Sequence, residues 1–282
     1  MATTTTSVLS TAGLSPNQYG TEVALDAANK SVMRPLVRTY NIAKGNTLYI
    51  PKVGTRSVTK RVRGTNDADN VTYAALSDTA VTFSKTFAVD ALEISYESLN
   101  DMPAAHLAAW LNAEKSQMGS AVANQFDADT LGLYSVASDN VGDSSSNVSG
   151  AMLKEAIKAL RVANAPGPYF IVLPETQWDH LADIDELTRF DVRGEGDTMQ
   201  NRQAFKLHGV MIFTTGNVPT AAGTSHGLAF SGEGIAAAMR DEIVIKEWDN
   251  PNNFTQRIAA YTDYAYANTF ADWIVDIQTT TA

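Results

Sequence analysis

The chain has no cysteine. That excludes a disulfide framework, a thiolate nucleophile and a cysteine-held metal. No apolar run approaches the roughly 18 residues of a membrane-spanning helix. The first residues, MATTTTSVLSTAG, lack the basic start and hydrophobic block of a secretory signal, so the simplest compartment is the cytosol. Histidine is scarce, four residues in 282. None falls into a metal-helix spacing such as H-E-x-x-H. His106 sits at a helix start, and His208 and His226 flank strands. With His180, they read as structural or solvent-exposed. Positive charge is also short: 21 Lys+Arg face 31 Asp+Glu, a net charge of −10. Such a surface repels phosphate over most of its area, which argues against broad nucleic-acid binding.

One stretch has the opposite deficit. From Asn41 to Asn66 there is no acid, and Lys44, Lys52, Arg56, Lys60, Arg61 and Arg63 stand alone. Here the apolar period is two: TLYIPKV, RSVTKRV, NVTYAAL and AVTFSKTFAVDALEISYE alternate β-branched or apolar residues with polar ones. Gly54, Gly64 and NDADN supply turns. The pattern describes a thin basic ribbon, marginal by itself in water and in need of a surface to lie on.

The rest of the chain divides by pattern. The first thirty or so residues are rich in Thr, Ser and Ala and read as an arm, flexible until something holds it. A weak helix spans Thr21 to about Ser31, and Pro35 ends it. After the ribbon the period becomes helical. Asn100 and Asp101 can cap, Pro103 suits a first turn, and Leu107, Leu111, Met118, Val122, Phe126 and Leu133 share a face. A helix from Pro103 to about Tyr134 is long for a compact domain of this size. Gly119 and Ser120 are adjacent near its middle, a pairing known to kink helices. Beyond it, AMLKEAIKALRVAN is a short amphipathic helix and YFIVLP a short buried strand of the kind covered by helices. ETQWDHLADIDEL is a second short helix, and FDVRGEGDTMQNRQ a polar loop. GVMIFTTGNVP and HGLAFSGEGIAAAM read as strand, turn, strand. Two long strands follow around the turn DNPNN, and WIVDI is the last.

Catalytic motifs are missing. The acids of DIDE lack the spacing and turn glycine of a calcium loop and read as a solvated helix end. FSGEG is not a nucleophile elbow, because Ala229 and Phe230 stand where the first glycine belongs. The glycines of VRGEGD do not link a strand to a helix, so they make no phosphate cradle. Two features remain, and both are architectural: a basic ribbon with little core of its own, and a helix too long for its domain. Both make sense in a subunit whose partner is another copy of itself.

The order of these elements resembles the major capsid protein family of tailed bacteriophages, whose fold is shared with encapsulins. LYIPKVG is similar to the entry of the family's extended E-loop. ALEISYESLNDM resembles the junction that closes that loop and opens the spine helix, and VANQFDADTLGLY the spine-helix end. YFIVLPETQWDHL resembles the strand and helix entering the A-domain. QRIAAYTDYAYANTFADWIVDI is similar to the long P-domain strand and the last strand. The resemblance implies an α+β phage major-capsid fold: extended β-hairpin E-loop, long spine helix, P-domain β-sheet and mixed α/β A-domain. It places the N-terminal arm at 1–40 and the E-loop ribbon at 41–97. The spine helix and helical part of the P-domain take 98–165, the A-domain 166–240, and the P-domain strands with the C-terminal strand 241–282.

It implies a self-assembling structural protein, not an enzyme, with no cofactor and no metal. Hexamers and pentamers of one chain would form an icosahedral shell in the virion, assembled in the host cytoplasm and enclosing double-stranded DNA without reading its sequence. The arm is too short to be a fused scaffolding domain. That implies a separate scaffolding protein, or none, besides a portal; no membrane is involved. Candidate inter-subunit contacts are Lys52, Arg56, Lys60, Arg61 and Arg63 of the ribbon and Asn250, Asn252 and Asn253 of the turn. Some members cross-link a lysine to a neighbour's asparagine. Lys52 or Lys60 and Asn252 or Asn253 are the matching residue types, with no assisting acid identified. The family's shell forms compact and then expands, which makes Gly119 and Ser120 hinge candidates. Two alternatives stay open: an encapsulin-like compartment around a cargo enzyme, and a β-rich binding or adhesive protein.

Overall fold

The computed structural model describes residues 16–41, 49–52, 79–82, 85–184, 187 and 203–281. Helix α1 (Pro16–Lys30) carries Tyr19, Val23 and Ala27 every four residues, hence on one face. All three are buried. Tyr19 and Val23 share a core with Leu107, Leu111 and Met118 of the long helix, here α3 (Ala104–Leu131), which follows the short α2 (Tyr96–Asp101). The Tyr19 hydroxyl donates to the Leu111 carbonyl at 2.8 Å. What holds the expected arm is therefore the chain's own long helix. From Pro16 onward the segment is held by its own chain, and the helix begins five residues ahead of Thr21. At 28 residues, α3 is roughly 42 Å long at 1.5 Å per residue. Its expected last turn tightens instead into a 3-10 segment, Gly132–Val136.

Four strands form the first sheet: β1 (Arg38–Asn41) and β4 (Lys85–Ser95) at the edges, β11 (Ile235–Asn250) and β12 (Thr255–Asn268) between, in the order β1-β11-β12-β4. Ile94, Ile258, Ala260, Ile243 and Ile245 turn one face toward α1 and α3. Alternation then turns Phe87, Val89 and Trp248 to the opposite face, where they are exposed. β11 is a single strand of 16 residues, not the two segments that GIAAAM and DEIVIKE imply. The break in alternation coincides with register shifts between Met239 and Val244, so the strand absorbs it by bulging rather than ending. In a separate two-stranded sheet, β2 (Tyr49–Lys52) pairs antiparallel with β3 (Thr79–Thr82).

The second sheet has the order β5-β13-β10-β6-β8-β7, with β9 (Thr220–Ala221) beside β10. Its strands are β5 (Asp139–Gly142), β6 (Tyr169–Pro174), β7 (Gln203–Leu207), β8 (Val210–Thr215), β10 (Thr224–Ser231) and β13 (Ile274–Thr280). The run YFIVLP is covered on both faces, as its unbroken apolarity requires. Ile171 and Leu173 join Leu153, Ile157 and Leu160 of α4 (Gly150–Val162) and Leu181 of α5 (Trp178–Ala182). Phe170 and Val172 join Phe126, Met33 and Leu36 on the other side. Sheet membership therefore crosses the segments expected from sequence. The last strand lies against β10 rather than with β11 and β12, and α4 packs on this sheet rather than with the long helix. Among the described residues no helix is long and apolar enough to cross a membrane.

Candidate subunit interface

The ribbon is present at its root. Tyr49 faces Thr82 and Lys52 faces Thr79 in an antiparallel register. Its second strand ends two residues before β4, so the ribbon leads directly into an edge of the first sheet. Arg56, Lys60, Arg61 and Arg63 lie beyond this root, outside the described residues, as does the side chain of Lys52.

The three asparagines sit at the opposite end of β11 and β12. Asn250 is the last residue of β11, paired with Thr255. Asn252 and Asn253 are exposed in the turn, and the Asn253 N–H donates to the Asn250 carbonyl at 3.2 Å. Phe254 is 72% exposed at the tip. The tip is braced. The Tyr96 N–H donates to the Phe254 carbonyl at 2.9 Å, and Arg257 Nη2 lies 3.0 Å from Glu93 Oε1. The hydrogen bond from the Thr255 hydroxyl, seconded by Arg257, holds the Glu93 carboxyl below its usual range. Glu93, Thr255 and Arg257 were not anticipated, because they come together only through strand register.

Gly119 is buried within an unbroken helical run, and Ser120 is partly buried. At this point Lys30 of α1 reaches α3: its Nζ donates to Ser116 Oγ at 2.7 Å, to the Ser116 carbonyl at 2.9 Å and to Ser120 Oγ at 2.7 Å. Two turns further, Asp127 is fully buried and receives Ser31 Oγ at 2.6 Å, the Val32 N–H at 2.8 Å and the Met33 N–H at 3.0 Å. The carboxylate caps the chain leaving α1 and clamps it to the long helix. Its single signal in the sequence is an acid on an otherwise apolar face.

His226 is buried on β10, with Nδ1 3.0 Å from Asp276 Oδ2 of β13, and the Tyr134 ring stacks on it at 4.0 Å. Gln278 Nε2 donates to the same oxygen at 2.9 Å. The pair ties the end of the long helix to the second sheet. His106 and His208 are exposed and His180 partly buried. Among the described residues no cluster of three or more His, Asp or Glu is placed to hold a metal.

No family model and no curated protein matches the sequence. Solved structures do match the fold. A chain of Mycobacterium phage Che8 aligns with 21% identity and a TM-score of 0.63, over 88% of this chain and 90% of that one. The capsid structure of cyanophage P-SCSP1u gives 15% and 0.63, over 89% of each. A virus-like particle from Pyrococcus furiosus gives 9% and 0.58, over 93% of this chain and 98% of that one. At these identities the likeness establishes architecture: the chain has the phage major-capsid fold.

Proposed function

We propose that this chain is the major capsid protein of a bacteriophage, self-assembling into an icosahedral head shell that encloses double-stranded DNA. The carrying observation is the breadth of the fold likeness, which takes in about nine-tenths of this chain and of each capsid neighbour. The chain acts as a wall unit and performs no catalysis. Hexamers and pentamers build the wall, a separate scaffolding protein and a portal assist it, and assembly takes place in the host cytoplasm. The acidic balance suits a container that does not grip its polymer.

In this reading the ribbon reaches across an adjacent copy, and Lys52, Arg56, Lys60, Arg61 and Arg63 meet that copy's acidic surface. Each exposed ion pair contributes only about 0–1 kcal/mol. Repeated over a shell, such pairs set register and partner choice. The turn at Asn250, Asn252 and Asn253 is a second contact. Gly119 and Ser120 let the long helix bend in a compact precursor and straighten on expansion. Electron microscopy of the purified protein tests the reading. Closed shells support it, and their absence under all assembly conditions refutes it. An encapsulin-like compartment is the second reading, favoured by the likeness to the Pyrococcus furiosus particle. Protein cargo rather than DNA recovered from the shells would select it.

A further inference from the structure

Helix α4 carries a basic face on an acidic chain. Lys154, Lys158 and Arg161 recur at i, i+4 and i+7, which lines them up on one stripe. With His208 they rim an open cleft of about 360 Å³, walled by Ile157 and Val162. Val162 is 71% exposed. Among the described residues no ion pair engages Lys158 or Arg161.

An acidic stripe sits on the same domain. Glu175 opens the 3-10 turn Glu175–Gln177, Asp179 lies in α5 and Asp183 caps its C-terminal end, and all three are exposed. The stripe is held rigidly. The fully buried Gln177 accepts the Val148 N–H at 2.9 Å and donates to the Thr280 carbonyl at 3.2 Å. Leu181 of α5 and Leu160 of α4 share one core. The two stripes therefore keep a constant relation to each other.

We infer that the basic stripe of α4 docks against the Glu175–Asp179–Asp183 stripe of a second copy of this chain. Opposite sign makes the surfaces complementary. Because the two patches differ, the contact is head-to-tail, the kind that closes into a ring when repeated. In a chain of net charge −10, copies repel at long range, so a local attraction determines how they meet. Nucleic acid fits the cleft less well, since Glu155 flanks the stripe and the chain as a whole carries a net charge of −10. The inference rests on the shell reading and identifies one of the contacts that reading needs.

Reversal and re-pairing of charge test it in the full-length protein. Lys158→Glu with Arg161→Glu, and separately Asp179→Lys with Asp183→Lys, should each cut shell yield about tenfold or more, because like charges would face each other. All four substitutions together should restore shells, since the stripes are then complementary again. Circular dichroism of the unassembled subunits should be unchanged throughout. Three results overturn the contact: either pair assembling as well as wild type, the fourfold variant staying unassembled although folded, or normal shells that retain less nucleic acid. Wild type that forms no shells removes the shell reading itself, and the contact with it. Wild-type shells beside unaffected variants remove the contact alone.

Discussion

Replacing Asp127 by alanine removes the acceptor of three converging donors: the Ser31 hydroxyl and the N–H groups of Val32 and Met33. The side chain is fully buried, as Val32 and Met33 are, so water cannot readily substitute. Each orphaned backbone donor costs about 1–3 kcal/mol, and the hydroxyl loses a bond to a charged group besides. It keeps one role, accepting the Arg34 N–H at 3.1 Å. The expected loss is about 3–5 kcal/mol, a large share of the roughly 5–15 kcal/mol that holds a domain together. Asp127→Asn keeps one acceptor oxygen and should lose about half as much. Urea unfolding of the unassembled subunit measures the loss. Limited trypsin digestion, with sites at Lys30 and Arg38, reports whether the segment after α1 has come away from the long helix. An alanine variant that loses less than about 1 kcal/mol, with unchanged digestion, would refute the clamp.

Gly142→Ala should destabilise by about 2 kcal/mol or more: its φ is +90° and a Cβ would stand 2.3 Å from the Gln278 carbonyl oxygen, so near-native urea unfolding would contradict the geometry. Burial first, then the Asp129 carboxylate, pushes the Tyr264 phenol well above its usual range, and burial followed by Glu114 does the same for Tyr19. The native state then holds protons that the unfolded chain releases above about pH 10, so stability falls as pH rises past that point; Tyr264→Phe should flatten the fall, and equal slopes for variant and wild type would rule the linkage out. Arg61→Glu with Arg63→Glu should leave the subunit folded and block shells in microscopy, because like charges would face across the ribbon contact; normal assembly at low and moderate salt argues against an electrostatic ribbon. Gly119→Ala should favour a straight helix by up to about 1 kcal/mol per subunit and make precursors expand more readily or fail to form; a helix axis equally straight before and after expansion disposes of the hinge.

Local pattern determined the kinds of element in this chain. A period of two named β4, the turn DNPNN placed β11 and β12 on either side of it, helical apolar spacing named α3 and α4, and an unbroken apolar run named β6 as a buried strand. The order of these elements was enough to point to the capsid fold, because each pattern depends on near neighbours in sequence. What the tertiary structure decided was which elements share a sheet and which polar groups meet. The last strand lies against β10, 43 or more residues earlier in the chain, through a register that no local signal encodes. Asp127 meets residues 94–96 positions away, and His226 meets Asp276 50 positions away. The helical signal of α1 is weak in the sequence because its apolar side chains are mostly small, and burying them stabilises only when the long helix lies close enough to touch them. A stripe of charge on α4 reads in sequence as an ordinary solvated face. Only the fold shows that a stripe of opposite sign is held on the same rigid body, since each depends on where its helix is pinned.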